Sequence, residues 1–170
     1  AVIMHDGLKR MVENQENVYY YLTVMNENYA HPGLKEGDED GIIRGMYICN
    51  SRGQGDLRVQ LMGSGTILRE SIAAQALLAQ DWGIAADVWS CPSFNELTRD
   101  GQDAERWNLL HPLETPRVPF VAQQLGKSTG PVVASTDYMK NYAEQIRSFI
   151  PAGRSYRVLG TDGFGRSDFR

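Results

Sequence analysis

The sequence predicts an α/β fold built on an open, mostly parallel sheet. The prediction rests first on residues 57–91, where a strand, a glycine turn, a helix and a second strand follow one another. This order is one βαβ unit, whose strands run parallel and whose crossover is right-handed. It rests second on two later apolar stretches, residues 130–135 and 156–160, which are separated by a helical pattern. Strands that alternate with helices in this way indicate an open parallel sheet.

Length and composition are those of a soluble globular domain. The chain has 170 residues, of which 42% are hydrophobic and 22% charged, enough to form a proper core. A net charge of −4 gives no general attraction to nucleic acid or to an anionic membrane. Since no apolar run approaches the roughly 20 residues that span a bilayer, we expect neither as a partner. The beginning of the chain does not resemble a signal peptide, and Cys49 and Cys91 form no motif, so we expect a cytoplasmic protein with reduced thiols.

The N-terminal region predicts a helix, a strand and a boundary. Residues 1–12 place apolar side chains at helical spacing, and residues 18–25 (VYYYLTVM) have the composition of a strand that is buried on both faces. Residues 26–40 contain Pro, Gly and five acids, which indicates a boundary between two folded bodies. Because neither end of the sequence shows a capping or closing element, we expect the chain to be a segment of a longer protein.

The acids of this boundary could be mistaken for a cation site. They lack the alternating ligands, the glycine and the closing Glu of a calcium loop, so a solvated linker is expected. Residues 42–50 alternate apolar and polar side chains and predict a strand, with a turn before Val59. The four clustered acids are Glu36, Asp38, Glu39 and Asp40.

The βαβ unit has clear signals for the ends of its strands and of its helix. Its first strand ends at the turn 63–65 (Gly-Ser-Gly), and residues 66–81 contain no Pro or Gly and are rich in helix formers. Gly83 stands where a helix takes its left-handed C-terminal residue. The second strand, residues 86–91, is followed by Pro92.

The second half of the chain predicts several shorter elements. Residues 93–96 (SFNE) form a capping box that begins a short helix, which Asp100 and Gly101 would end, and Asp103 could cap another. Three prolines make residues 111–120 irregular. A long amphipathic helix is expected from Asp137 to residue 150, before Pro151.

The Gly-Ser-Gly turn at residues 63–65 raises the question of nucleotide binding. A dinucleotide fingerprint would need glycine where Leu68 stands and an acid at the end of the second strand, whereas Asp87 lies at its beginning. A tight turn is therefore favoured, and a weak anion site at the helix N-terminus stays open. The histidines show no metal-ligand spacing, and Ser64 does not lie in a nucleophile elbow.

The stretch 160–168 (GTDGFGRSD) is the candidate for a contact with another protein surface. It follows a strand and so lies at the carboxyl edge of the sheet, and its glycines permit close backbone approach. Phe164 would be an apolar anchor, and Asp162 and Arg166 could form ion pairs across an interface. The alternative is a turn in which Phe164 fills the core of its own domain.

Four tracts resemble a known family: residues 16–29 (ENVYYYLTVMNENY), 96–120 (ELTRDGQDAERWNLLHPLETPRVPF), 134–140 (ASTDYMK) and 156–168 (YRVLGTDGFGRSD). They are similar to the homodimeric, thiamine-dependent first component of bacterial pyruvate dehydrogenase complexes. The resemblance implies that residues 1–28 end a pyrimidine-binding domain, as a helix-strand remnant. Residues 29–56 would be a linker and a first strand, and residues 57–170 an incomplete transketolase-like C-terminal domain.

The same resemblance implies an activity for the parent enzyme. The family decarboxylates pyruvate on thiamine diphosphate with Mg²⁺, and then acetylates the lipoyl group of the acetyltransferase component. No string here matches the family's cofactor motifs, so no catalytic, cofactor or metal residue is assigned. We expect the segment to brace the dimer and its domains, to bind no cofactor and to be inactive alone. Two alternatives stay open: a stand-alone small-molecule or nucleotide-binding module, and a pure protein-interaction domain.

Overall fold

The molecule is organised around a five-stranded sheet of order β1-β3-β2-β4-β5. A computed structural model describes residues 1–24, 28, 30 and 33–163. β2 pairs in parallel with β3 and β4, and β4 pairs in parallel with β5, whereas β1 runs antiparallel to β3. The predicted, mostly parallel sheet is therefore confirmed. The strands are β1 (Tyr47–Arg52), β2 (Arg58–Gly63), β3 (Ala85–Ser90), β4 (Val132–Met139) and β5 (Tyr156–Thr161).

Helices connect the parallel strands and cover both faces of the sheet. α3 follows the Gly-Ser-Gly turn as predicted, and it ends at Gly83, whose φ of 64° is left-handed. A π-helical turn, Lys9–Glu13, continues the first helix, and a 3₁₀ turn, Arg147–Phe149, follows the last. The α-helices are α1 (Val2–Leu8), α2 (Asp38–Arg44), α3 (Ile67–Trp82), α4 (Phe94–Leu110), α5 (Phe120–Leu125) and α6 (Lys140–Glu144).

The core lies in two layers because side chains alternate along each strand. On one face, Met62 and Trp89 pack with residues of α4, α5 and α6, of which Phe94 and Val121 are fully buried. On the other face, a smaller cluster around Val88 packs against α3. Two helical layers on a mostly parallel sheet are the usual solution for strands that are apolar on both sides.

A buried polar network ties β2 to β3 on the larger face. The Gln60 amide donates to Asp87 Oδ2 at 2.8 Å and accepts from Trp89 Nε1 at 2.8 Å. Arg58 completes the network with an ion pair to Asp87 Oδ1 at 2.5 Å. Asp87 is thus a structural partner at the amino end of β3, which agrees with its rejection as a ribose ligand.

One helix replaces the two that were predicted for residues 93–110. Ser93 caps it as expected, since its Oγ accepts from the amide of Glu96 at 3.1 Å. The expected end at Asp100 and Gly101, and the cap at Asp103, are wrong, because α4 runs on to Leu110. Gly101 serves packing instead: a methyl group in its place would lie 2.5 Å from the ring of Phe149. The glycine is a site of close approach within the helix.

The linker region also differs from the prediction. Residues 38–44, expected as a solvated linker and the start of a strand, form α2, and the strand begins only at Tyr47. Three of the four clustered acids occupy the first turn of α2, where the helix dipole favours negative charge. Gly45, at a φ of 100°, ends the helix.

The strand expected at residues 18–25 is absent from residues 18–24, and Met25 lies outside the described residues. An extended segment becomes a strand only through a ladder with a neighbour, and the described strands give it none. The burial on both faces that was expected for this segment is also wrong. Tyr20 packs on Gly7 of α1, while Tyr19 and Tyr21 are 88% and 84% exposed.

The long helix expected from Asp137 to residue 150 is wrong at its start and in its length, because residues 137–139 belong to β4 and α6 covers only Lys140–Glu144. β4 continues to Met139, which pairs with Thr161 beyond a register shift, and only then does the short α6 begin. Gly160 allows this pairing, because a side chain there would lie 2.8 Å from the carbonyl oxygen of Tyr138. The apolar face predicted further along is real, since Ala143, Ile146 and Phe149 belong to the core.

Candidate functional site at the carboxyl edge of the sheet

The carboxyl edge of the sheet gathers the candidate residues of the chain. β2, β4 and β5 are parallel, so the turn 63–66, the end of β4 and residues 160–163 all lie at this edge. In open α/β sheets this is where sites are usually found.

The Gly-Ser-Gly turn is held by hydrogen bonds within the domain. The Ser64 amide donates to Ser135 O at 3.2 Å, and its hydroxyl bonds to Thr136 Oγ1 at 3.1 Å. Gly63 lies so close to α3 that a methyl group there would be 2.8 Å from the Cα of Leu68. Ser64 is buried in this arrangement, so the turn joins β2, β4 and α3 and does not present a nucleophile.

An acidic side chain stands in front of the same turn. A methyl group on Gly65 would lie 3.5 Å from Asp137 Oδ1, which places the carboxylate of Asp137 at the N-terminus of α3. A carboxylate there complements the helix dipole and repels a phosphate at that position. The anion site that the sequence left open is therefore disfavoured, and with it the nucleotide-binding alternative.

A trough of about 350 Å³ opens beside the turn, on the α3 side of β4 and β5. Its lining is mostly apolar, with Leu61, Val133 and Leu159 among its residues, and Glu70 is its one ionisable group. No basic side chain belongs to the lining within the described part of the chain. The trough therefore has no cationic side chain that would bind a phosphate or a carboxylate.

Tyr138 links this edge to the N-terminal region and to the core. Its phenolic O–H donates to Thr23 Oγ1 at 3.1 Å, and its ring lies 5.1 Å from the ring of Tyr142. Tyr142 in turn meets buried Phe94 edge to face at 5.4 Å, and burial raises the pKa of the Tyr142 phenol. One hydrogen bond and two aromatic contacts thus connect the extended N-terminal segment to the centre of the larger core.

Of the three predicted interface residues, Asp162, Phe164 and Arg166, the structure describes Asp162. Its exposed carboxylate forms an ion pair with Lys140, at the start of α6. This ion pair lies within the chain, whereas an ion pair across an interface was expected for Asp162. Phe164 and Arg166 lie outside the described residues, so the contact role of the loop remains a prediction.

The described residues also bear on metal and nucleophile chemistry. Among residues 1–24, 28, 30 and 33–163, no group of three His, Cys, Asp or Glu side chains could hold a metal ion. The Cys91 thiol is fully buried, and this burial raises its pKa, so it is not poised to react as a thiolate. No described helix is both long enough and apolar enough to cross a membrane.

The family of the chain follows from a match over most of its length. The model of the transketolase-like TK C-terminal domain family matches residues 45–170, which include the whole sheet. The chain belongs to this family. Residues 1–32 match the pyruvate dehydrogenase E1 component middle domain.

The relatives name a particular enzyme. The chain is 60% identical over 171 residues to the pyruvate dehydrogenase E1 component of Escherichia coli K12, with 100% of this chain and 19% of that protein covered. It is 60% identical over 175 residues to the same component of Cupriavidus necator H16, and 57% identical over 171 residues to that of Pseudomonas aeruginosa PAO1, at the same coverage of 100% and 19%. The resemblance drawn from the sequence tracts is confirmed. The chain spans about a fifth of the length of these relatives.

Among solved structures, the chain is similar to transketolase from Campylobacter jejuni. The TM-score is 0.43 at 14% sequence identity, with 73% of this chain and 15% of that chain covered.

Proposed function

We propose that the chain is the transketolase-like C-terminal part of a pyruvate dehydrogenase E1 component, preceded by the end of its middle domain. The observation that carries the proposal is 60% identity to such components over the full chain. The parent enzyme would decarboxylate pyruvate oxidatively with thiamine diphosphate and Mg²⁺, and acetylate the lipoyl group of the acetyltransferase component. It would act as a cytoplasmic homodimer within a multienzyme complex.

Within that enzyme, the proposed role of the segment is to brace the dimer and the domains. The proposal gains support from the way the segment uses its polar groups, since Ser64 and Asp87 are both buried and bonded to neighbouring strands. The proposed domains are residues 1–28, the end of the pyrimidine-binding domain; residues 29–56, which contain α2 and β1; and residues 57–170, the C-terminal domain. Catalysis would belong to other parts of the parent protein.

We also propose that residues 160–168 contact another domain or subunit in the parent. The exposure of Asp162 at the carboxyl edge supports this role. Phe164 and Arg166 would supply an apolar anchor and a charge for pairing.

A chimera tests the proposed function. The segment of the Escherichia coli relative that aligns with this chain would be replaced by residues 1–170, and pyruvate decarboxylation would be measured with thiamine diphosphate and Mg²⁺ present. We expect turnover within about tenfold of the unmodified relative, because tolerated differences at this identity lie mainly in loops and surface positions. Two controls are the relative with the segment deleted and the isolated 170-residue chain, both expected at background.

Two outcomes would contradict the proposal. A chimera that folds and dimerises like the relative yet shows no turnover would mean that the chain does not serve this enzyme. Turnover by the isolated chain that depends on thiamine diphosphate would mean that the segment is catalytic, against the bracing role.

A further inference from the structure

Residues 18–24, here named the strap, cross from the N-terminal helix to the carboxyl edge of the sheet. At one end, Tyr20 packs on Gly7, and its hydroxyl donates to Asp6 Oδ2 at 2.5 Å and accepts from Arg10 Nη1 at 3.0 Å. At the other end, Thr23 accepts the hydrogen bond from Tyr138. The strap is thus held at two points, whose partners, α1 and Tyr138, lie far apart in the sequence.

The two attachments differ in strength. The first is partly buried and involves a charged donor and a charged acceptor, which makes the stronger kind of hydrogen bond. Burial, followed by the hydrogen bond to Asp6, raises the pKa of the Tyr20 phenol. The second is a single hydrogen bond between neutral hydroxyls at an exposed position, which is the weaker kind. The strap should therefore open at the Tyr138 end first.

We propose that Tyr138 is a latch, and that its phenolic O–H holds the strap closed on the carboxyl edge of the sheet. Tyr138 suits this role because its ring packs against Tyr142, which in turn contacts the buried ring of Phe94. α1 also packs against α2, so release of the latch frees the strap without detaching the N-terminal helix. The latch sets how tightly the strap, which lies within the region matched by the middle-domain family, is fastened to the sheet of the C-terminal domain.

The latch can be tested by limited proteolysis with chymotrypsin on the 170-residue chain. Cleavage after Leu22, which is 42% exposed and adjoins Thr23, requires the Tyr138 end of the strap to leave the surface, and its rate follows the open population when opening is fast. Removal of a neutral hydrogen bond should raise that population by about twofold to tenfold. We expect Tyr138→Phe to accelerate cleavage within the strap by this factor, with the denaturation midpoint of the domain little changed.

The matched control is Tyr47→Phe, which removes a phenol from β1, at the opposite edge of the sheet from β5. Its strap should be cleaved at the wild-type rate. A second variant, Thr23→Val, removes the acceptor and should reproduce the acceleration seen with Tyr138→Phe. The double variant should be cleaved no faster than either single variant, because both remove the same bond.

Three results would overturn the latch: an unchanged cleavage rate in Tyr138→Phe, an equal acceleration in Tyr47→Phe, or accelerations that multiply in the double variant. If Tyr138→Phe lowers the stability of the whole domain, Thr23→Val decides alone, since Thr23 is exposed and lies outside the core. Wild-type cleavage of that variant would then refute the proposal.

Discussion

Gly101 lies in the middle of α4, and its substitution by alanine sets two effects of opposite sign against each other. In an open helix, Gly→Ala stabilises by about 0.8–1.0 kcal/mol through helix propensity. At Gly101, the added methyl would lie 2.5–2.6 Å from three ring carbons of Phe149. Carbon atoms pack at about 3.5–4.0 Å, so the ring or the helix must move.

The magnitude follows from the packing around the ring. Phe149 is 6% exposed and belongs to the larger core cluster, so its ring has little free volume to move into. Overpacking of a close-packed core costs about 1–3 kcal/mol. After the gain in helix propensity is subtracted, Gly101→Ala should lower the free energy of unfolding by between about 0 and 2 kcal/mol.

The assay is denaturant unfolding of the 170-residue chain, followed by circular dichroism. Gln102→Ala is the matched control, because Gln102 is the exposed neighbour in the same helix, and it should change stability by less than about 0.5 kcal/mol. The double variant Gly101→Ala/Phe149→Leu should be more stable than the sum of the single effects predicts, by about 0.5 kcal/mol or more. A stabilised Gly101→Ala variant would refute the reasoning, since it would show that the ring does not restrict this position.

Two further predictions concern buried polar groups. Gln60→Leu leaves the Trp89 Nε1–H and one oxygen of Asp87 without the partners they have at 2.8 Å. The free energy of unfolding, measured by the same denaturation, should therefore fall by about 2–4 kcal/mol. A loss below about 1 kcal/mol would contradict the importance of the network. Burial raises the pKa of Tyr156 above its ordinary value of 10.0, so the folded state retains this proton where the unfolded state loses it, and stability should be intact below about pH 10 and fall above it. Tyr156→Phe, which also loses the hydrogen bond to Ala143 O at 2.7 Å, should flatten that alkaline fall, as followed by thermal unfolding between pH 8 and pH 11; an unchanged slope would assign the fall to other groups.

The sequence predicted correctly the elements that are specified by residues close to them in the chain. The apolar runs of β2 and β3, the helix formers of α3, the left-handed Gly83 and the Ser93 cap lie within a few residues of what they specify. The family, likewise, was recognised from long strings that need no structure. The carboxyl edge could be anticipated as well, because the end of a parallel strand defines it.

The sequence predicted wrongly those elements that depend on a residue distant in the chain. Gly101 ends a helix by local rules, and only the ring of Phe149 explains a glycine in the middle of α4. Residues 137–139 read as the start of a helix, yet their pairing with β5 keeps them in a strand. In the site, the approach of Asp137 to Gly65 and the bond from Tyr138 to Thr23 had no signal in the spacing of those residues.

The sequence by itself thus determined the βαβ unit, the mostly parallel sheet and the family. The tertiary structure alone decided where α4 and β4 end, what the Gly-Ser-Gly turn contacts and where the strap is held. The physical reason is the range of the forces involved. Propensity, capping and alternation act within about one helical turn or one strand, whereas close packing and strand pairing are set by whichever residues the completed fold brings together.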